Sequence, residues 1–235
     1  MMRVEPHGIG SIMHVVKRGA RGGLIVRDAS DRKIFMRSLF YLNDKYQNEN
    51  WKRDTAACGT FDRPLHWPKR KPLVHILAWT LMPNHFHLLL EEYIEGGIAK
   101  FMQRLCNSMA RTYNQKYAET GSLFQRSYKA RTVHDDAYLR QLVRYILVKN
   151  VLELYPGGLT AALKDFDAAW EWGLRYNYSS FGATMRGGAS PATFDEDGLI
   201  AEICGASKFK REARELVEAH AFPSDELELL ALEKW

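Results

Sequence analysis

Three apolar stretches in the first half of the chain have the length and alternation of β-strands. Residues 11–19 contain a β-branched run that is closed by glycines at 19, 22 and 23, which is typical of a strand followed by a turn. Residues 73–82 form a nearly continuous apolar run, and residues 85–90 alternate between histidine and apolar side chains. Pro83-Asn84 separates these last two runs. The pattern therefore predicts a central antiparallel hairpin.

Helical spacing of apolar residues marks the segments around these strands. The spacing predicts a helix over 31–46, capped by Ser30 or Asp31, a second over 98–117 and a third over 137–151. Two short helices are predicted near the C-terminus, over 197–203 and 208–220. Strands and helices in this order indicate an α+β protein with helices packed on an antiparallel sheet.

The strand at 85–90 carries the first chemically informative pattern. Because side chains alternate along a strand, His85 and His87 point to one face while Phe86, Leu88 and Leu90 point to the other. Two imidazoles on one face can bind a divalent cation, which then needs a carboxylate, an amide or water to complete its shell. The alternative is a pair of half-buried structural histidines. His14 and His75 are interpreted as ordinary packed strand histidines.

Charge is distributed unevenly along the chain. Residues 190–235 carry eleven acidic and five basic side chains, so residues 1–189 have a net charge of +11 against +5 for the whole chain. Residues 98–150 alone contain ten basic and three acidic side chains. A basic body suggests a polyanionic partner, most often nucleic acid, and a solvated basic surface is the alternative.

Other features set the cellular context. Cys58, Cys106 and Cys204 are far apart, odd in number and match no zinc spacing, which predicts reduced thiols and no disulfide framework. We find neither a signal-peptide pattern nor an apolar run of membrane-span length. These observations predict a cytoplasmic protein without a membrane partner.

Residues 47–72 interrupt the pattern of strands and helices. The segment contains Trp51, Trp67 and the basic run Lys69-Arg70-Lys71. Aromatic and basic side chains together can stack on bases and hold phosphates. Equally, the two tryptophans can pack onto the body under a solvated loop.

The phrase Met82-Pro-Asn-His85-Phe-His87-Leu-Leu-Leu90 resembles the His-hydrophobic-His (HUH) motif of single-strand tyrosine transposases, in particular the branch associated with repetitive extragenic palindromes (REP). Further matching phrases follow in the family's order, from His14-Val-Val-Lys-Arg18-Gly through Gly121-Ser-Leu-Phe-Gln125 to the Ser-Ser pair at 179–180. The resemblance covers about residues 11–185. It implies a ferredoxin-like palm in residues 1–189, with helices packed on one face of the sheet and the 47–72 segment as an insertion. Residues 190–235 are expected to form a small acidic helical appendage, either solvated or folded back over the basic groove.

The resemblance also implies a reaction and its catalytic residues. Tyr145, in the phrase Arg144-Tyr-Ile, occupies the position of the nucleophile that forms a 5′-phosphotyrosine. His85 and His87 would hold Mg²⁺ or Mn²⁺, and the substrate would be single-stranded DNA beside a hairpin. The residues expected to contact DNA phosphates are Arg18, Arg126, Lys129, Arg131 and Arg144.

One position departs from the family pattern. Relatives usually place a metal-binding side chain four residues after the tyrosine, on the same helical face, whereas here that residue is Lys149 and an amide follows as Asn150. An ammonium has no lone pair for a metal. Asn150 could reach the metal through a distorted helix end, water could replace it, or Lys149 could contact the scissile phosphate, which is the interpretation we favour.

Three other functions share parts of this pattern. A replication initiator-type nickase of the HUH superfamily would share the metal and the tyrosine. A domesticated or non-catalytic hairpin-binding relative would keep the fold and the basic groove, and an unrelated two-histidine metal hydrolase would keep its activity without Tyr145. The sequence leaves the oligomeric state open between a monomer and a homodimer.

Overall fold

The computed structural model describes residues 8–187, 192–193 and 198–221. Its strands are β1 (Ile12–Arg18), β2 (Val74–Leu81), β3 (His85–Glu92) and β4 (Lys129–Thr132). The helices of the first part are α1 (Ala29–Tyr41), α2 (Trp51–Asp54), α3 (Gly97–Tyr117) and α4 (Asp136–Arg144). A π-helical segment, Tyr145–Lys149, joins α4 to the short helix α5 (Asn150–Leu152). The remaining helices are α6 (Gly158–Lys164), α7 (Phe166–Leu174), α8 (Phe181–Met185), α9 (Leu199–Gly205) and α10 (Phe209–Ala221).

The four strands form one antiparallel sheet in the order β2-β3-β1-β4. With α1 between β1 and β2 and α3 between β3 and β4, this is the βαββαβ connectivity of a ferredoxin-like fold. The α+β class and the ferredoxin-like palm predicted above are therefore confirmed.

Helices α1 and α3 cover one face of the sheet, as predicted. Apolar side chains of alternate strand positions, among them Val15, Phe86 and Leu88, are fully buried against Phe35 of α1 and Phe101 of α3. We call this the α1/α3 face. Alternation along the strands sends the apolar set to this side and the histidines to the other.

The opposite face, which we call the histidine face, is also covered by helices. Residues of the π-helical segment pack on Ala78 and Leu89 of this face in a second apolar cluster. Helices α9 and α10 add Ile203, Phe209 and Val217 to the same cluster. Residues 199–221 therefore fold back onto the body, which decides between the two alternatives for the described part of the tail. The proposed domain boundary stays a prediction, because residues 188–191 lie outside the described part.

Two helix boundaries differ from the predictions. Helix α1 begins after Asp28, whose carboxylate accepts hydrogen bonds from the amides of Ser30 and Asp31 in a capping box. It ends at Tyr41 rather than at residue 46, because Asn43 instead binds the start of β2 through the amides of Leu73 and Val74. The predicted tail helices are observed as α9 and α10; residue 197 lies outside the described part.

The tryptophans of the 47–72 insertion pack onto the body, and the cysteines form no disulfide bonds. Trp51 and Trp67 are buried against Phe40 and Tyr41, so the tryptophans are packed onto the body. All three cysteines are free thiols, as predicted. Among the described helices, none combines the length and the apolar character that a membrane span requires.

Candidate active site

The two motif histidines lie side by side on the histidine face. His85 and His87 have ring centroids 4.9 Å apart, and both side chains are buried. Phe86 and Leu88, the intervening residues, belong to the core of the α1/α3 face. The predicted shared face of His85 and His87 is thus observed.

Hydrogen bonds orient both imidazoles. His85 Nδ1 lies 2.7 Å from Oδ1 of Asn84, an acceptor, so Nδ1 carries the proton and Nε2 keeps the lone pair in the neutral ring. His87 Nδ1 lies 2.9 Å from Nε2 of His14. If His87 donates this hydrogen bond, its Nε2 also keeps a lone pair. His14 then supports His87 as a positioning partner, a common arrangement around metal-binding histidines.

Tyr145 packs directly against these histidines. Its fully buried ring lies 5.6 Å from the ring of His87 and 6.2 Å from the ring of His14, both nearly perpendicular. The rival tyrosines lie elsewhere: Tyr113 and Tyr117 belong to α3, and Tyr138 lies two helical turns before Tyr145 on α4. Tyr145 is therefore the tyrosine that the fold brings to the histidine pair.

The helix carrying Tyr145 changes its hydrogen-bond pattern at this residue. The amide of Asn150 donates to the carbonyl of Tyr145, five residues back, which is the spacing of a π-turn. In a regular α-helix, a residue five positions on would point about 140° away from Tyr145. The π-turn brings Asn150 above Tyr145 and so accommodates the extra residue relative to the family pattern. A distorted helix was one of the three outcomes considered above.

Thr80 completes the hydrogen bonding of this π-turn. In an α-helix the Asn150 amide would donate to the carbonyl of Ile146; here that carbonyl instead accepts a 2.6 Å hydrogen bond from Thr80 Oγ1. Thr80 is the register partner of His87. The sheet and the distorted helix are therefore joined beside the histidines. Sequence reasoning missed Thr80, because a threonine inside an apolar strand gives no signal of a partner far along the chain.

Lys149 and Asn150 both lie near Tyr145 but differ in their partners. Lys149 Nζ is 4.9 Å from the centre of the Tyr145 ring and forms a 2.7 Å ion pair with Glu153. Asn150 is fully buried, and neither its Oδ1 nor its Nδ2 makes a hydrogen bond within the described residues. A buried amide in this state is rare and suits a ligand-binding role.

The predicted DNA-contacting residues fall into two groups. Three lie on the histidine face, where Arg18 pairs in register with His85, Arg131 with His14, and Lys129 with Val16. Burial and the nearby Arg18 lower the pKa of Lys129. Arg126 is exposed in the loop before β4, in a left-handed conformation with φ of 43°. Arg18, Lys129 and Arg131 give this edge of the histidine face a positive charge.

Arg144 lies apart from that group, under the tail. It forms an ion pair with Glu212 of α10. Burial lowers the pKa of Arg144, and Glu212 opposes that shift. On the same helix, His220 packs its ring 5.4 Å from the Tyr145 ring. Helix α10 therefore covers the tyrosine and neutralises one of the predicted DNA contacts.

To bind a divalent cation, His85 and His87 need at least one further ligand, and among the described residues that ligand is not a third histidine, a cysteine or a carboxylate. The described residues contain no group of three or more His, Cys, Asp or Glu side chains arranged to hold a metal. His85 and His87 offer two nitrogens, and the buried amide oxygen of Asn150, which has no hydrogen-bond partner among the described residues, is the candidate for a third donor. These residues fit a divalent metal of the predicted kind.

Comparison with known proteins finds one family model and one solved structure that are similar to this chain. Residues 66–149 match the sequence model of the family described as IS200-like transposases. A solved structure of a REP-associated tyrosine transposase bound to a REP hairpin is similar at 14% identity and a TM-score of 0.49, over 83% of this chain and 93% of that chain. No curated protein sequence matches the chain.

The matched segment begins before β2 and ends at Lys149, so it contains His85, His87 and Tyr145. Fold and site together define a ferredoxin-like protein with a histidine pair facing a helical tyrosine. The segment that carries the histidine pair and the tyrosine thus matches the IS200-like transposase model, which confirms the family resemblance noted in the sequence over these residues.

Proposed function

We propose that this protein cleaves and rejoins single-stranded DNA beside hairpins, as in the REP-associated branch of the family, with Tyr145 as the nucleophile. The observation that carries the proposal is the packing of the Tyr145 ring against His87 on the histidine face. Three distant segments of the chain, β1, β3 and the π-helical segment, converge there. The match of residues 66–149 to the IS200-like transposase model supports DNA as the substrate class, since transposases act on DNA.

The proposed reaction exchanges one phosphodiester for another. The Oη atom of Tyr145 forms a bond to phosphorus and gives up its proton, while the bond from phosphorus to the 3′ oxygen breaks and that oxygen gains a proton. The products are a 5′-phosphotyrosine and a free 3′ hydroxyl. The number of phosphodiester bonds is conserved, so rejoining by a 3′ hydroxyl needs no nucleotide cofactor.

A divalent cation such as Mg²⁺ or Mn²⁺, when bound, would polarise the scissile phosphate and reduce its negative charge. His85 and His87 would hold it through Nε2, and Asn150 would contribute its amide oxygen. The hydrogen bonds that His85 donates to Asn84 and His87 donates to His14 support these roles, because they orient the two rings and leave both Nε2 atoms with a lone pair.

Lys149 retains its proposed role at the scissile phosphate. Its ammonium group lies beside the Tyr145 ring, and a nearby cation favours the phenolate form of a tyrosine. Its partner Glu153 is half exposed. A phosphate group could therefore compete with Glu153 for the ammonium.

DNA would approach along the basic edge of the histidine face. Arg18, Lys129, Arg131 and Arg126 are proposed to contact the phosphates there. Arg144 would join them only after Glu212 releases it. Because Tyr145 is fully buried beneath α10, we infer that α10 shifts when DNA enters.

The test is cleavage of an end-labelled oligonucleotide that carries a hairpin with single-stranded flanks, in Mg²⁺ or Mn²⁺, followed by a denaturing gel. Wild-type protein should give a cut strand and a covalent protein–DNA band. Tyr145→Phe should give neither, while Tyr138→Phe on the same helix should give both. An adduct that persists in Tyr145→Phe and disappears in Tyr138→Phe would overturn the choice of nucleophile. Cutting without any adduct would favour a two-histidine hydrolase.

A further inference from the structure

A second polar groove lies on the other side of the sheet from Tyr145. It runs between residues 46–53 and the outer surface of α3, and its volume is about 720 Å³. We call it the α2–α3 groove. It is open to solvent and comparable in size to the pockets that hold organic ligands. The residues that form one of its walls belong to the 47–72 insertion.

The lining of this groove contains more basic than acidic side chains. Lys52 and Arg53 line it from α2, Arg104 and Arg111 line it from α3, and Glu49 is the one acidic residue of the lining. Its amide side chains are Gln47, Asn48, Asn50, Asn107 and Gln115. A lining of cations and amides suits the phosphates and base edges of a nucleic acid.

Two of these cations, Lys52 and Arg111, lie close together, and neither forms an ion pair within the part of the chain that the structure describes. Lys52 Nζ donates hydrogen bonds to the carbonyl of Ser108 and to Thr112 Oγ1, both neutral groups. Burial and the adjacent Arg111 lower the pKa of Lys52 to about 8. Arg111 is exposed and makes no hydrogen bond or ion pair with any residue that the structure describes. An anion between these two side chains would relieve their repulsion.

Other cations on α3 behave differently, which makes the pair distinctive. Lys116, one helical turn beyond Thr112, forms ion pairs with Asp28 and Asp31. Its pKa is raised, with the hydrogen bonds of these two aspartates outweighing burial. Arg111 and Lys52 thus present positive charge to the groove, whereas Lys116 serves to join α1 and α3.

An aromatic side chain lies at the edge of the same groove. Tyr46 is 36% exposed, and its ring packs 5.3 Å from the buried Trp67. Positive charge combined with an aromatic ring that bases can stack on is the usual construction of a site for single-stranded nucleic acid. In a duplex the bases stack on each other and are not free to stack on Tyr46.

We propose that the α2–α3 groove binds a single-stranded flank of the DNA substrate, at a distance from the cleavage site. This inference takes its partner, DNA, from the proposed function. It adds a second binding site, formed by the insertion, that would hold the substrate without taking part in the reaction. The site would anchor long single-stranded flanks and leave short ones unbound.

The experiment measures binding by fluorescence anisotropy with two oligonucleotides, one with a long single-stranded flank beside the hairpin and one with the flank removed. Arg111→Gln is compared with Lys100→Gln, an exposed cation on the same helix outside the groove. Arg111→Gln should weaken binding of the long oligonucleotide about three- to tenfold and lower its salt slope by about 0.9, as expected for one lost phosphate contact. Lys100→Gln should change neither quantity. With the trimmed oligonucleotide, both variants should bind like wild type.

A second variant distinguishes specific binding in the α2–α3 groove from nonspecific electrostatic attraction. Tyr46→Leu should weaken binding of the long oligonucleotide about fivefold or more without changing the salt slope, because stacking releases no counterions. Equal affinities and slopes for Arg111→Gln and Lys100→Gln on the long oligonucleotide would overturn the proposal. That result is independent of the tyrosine chemistry, since Arg111→Gln should form the covalent adduct at saturating DNA and Tyr145→Phe should keep the groove-dependent affinity.

Discussion

The two faces of the sheet are both buried, yet they are built differently. On the α1/α3 face, apolar strand residues such as Phe86 and Leu88 meet Phe35 and Phe101 from two regular helices. On the histidine face, His14, Thr80 and His87 are fully buried among apolar neighbours. Burying polar groups is costly unless each finds a partner. The histidine face therefore depends on specific hydrogen bonds, such as those of His14 with His87 and of Thr80 with Ile146, whereas the α1/α3 face depends on apolar packing.

The covering helices differ in the same way. Helix α3 is regular over 21 residues, whereas the helix on the histidine face contains the π-turn at Tyr145. The apolar pattern of the sequence thus determines the α1/α3 face. On the other side, individual polar contacts such as Thr80 to Ile146 decide the local geometry.

The largest predicted effect comes from removing the histidine pair. His85→Ala combined with His87→Ala should reduce cleavage by about a thousandfold or more, because a metal can no longer be held at the scissile phosphate. DNA affinity should change little, since the basic edge supplies it. Activity and binding are measured on the same hairpin oligonucleotide, with a chelator control on wild type. Full cleavage in chelator would show that no metal is needed.

The next effect concerns the two residues that the π-turn brings beside Tyr145. Asn150→Ala should weaken Mn²⁺ binding about tenfold and reduce cleavage at limiting metal, because it removes an amide oxygen. Lys149→Gln should slow cleavage while Mn²⁺ binds as well as before or more tightly. Metal affinity can be read by calorimetry or by the paramagnetic signal of Mn²⁺.

Two results would contradict these roles of Asn150 and Lys149. Unchanged metal affinity in Asn150→Ala would remove Asn150 from the ligand set. If Lys149→Gln alters neither metal affinity nor cleavage, Lys149 has no part in the reaction.

A smaller effect is predicted for the contact between sheet and helix. Thr80→Val should lower the free energy of unfolding by about 1–3 kcal/mol, because the buried Ile146 carbonyl loses its donor. The control is Thr184→Val, whose hydroxyl only bonds the Ser180 carbonyl within its own helix, with an expected change below about 0.5 kcal/mol. Urea unfolding measures both variants. Equal stabilities would mean that Thr80 does not support the π-turn energetically.

The smallest predicted effect concerns the tail. Glu212→Gln should strengthen DNA binding about two- to fivefold and steepen its salt dependence, because Arg144 becomes available to a phosphate. Glu218→Gln, an exposed acid on the same helix that pairs with Arg214, is the matched control. An equal gain in both variants would point to general charge repulsion and not to release of Arg144.

Much of this fold was predictable because its periodic signals agree with its packing. The strands around His14 and His85 and the long helix α3 are found where alternation and helical spacing placed them. The predicted end of α1 was wrong, because the helix stops where Asn43 binds the start of β2, and a contact between residues so far apart in the chain leaves no local signal. The π-turn could be foreseen only as one of three alternatives, because its stabilising hydroxyl belongs to Thr80 on another element.

Some features of the candidate site were likewise predictable from the sequence, and others were not. The shared face of His85 and His87 follows from strand alternation alone. The choice of Tyr145 rested on its resemblance to a family phrase, and the fold brings this tyrosine to the histidines. The packing of α10 over Tyr145 could not be decided from the sequence, because an amphipathic helix gives no indication of which surface it packs on.

The most direct test of the central claim is to locate the covalent bond. Wild-type protein is incubated with a hairpin oligonucleotide and a divalent metal, digested with protease and nuclease, and analysed by mass spectrometry. We expect a nucleotide phosphate attached to the peptide that contains Tyr145, with no modified peptide in Tyr145→Phe. A nucleotide attached to any other residue, or cleavage of the DNA with no modified peptide at all, would contradict the assignment of Tyr145 as the nucleophile.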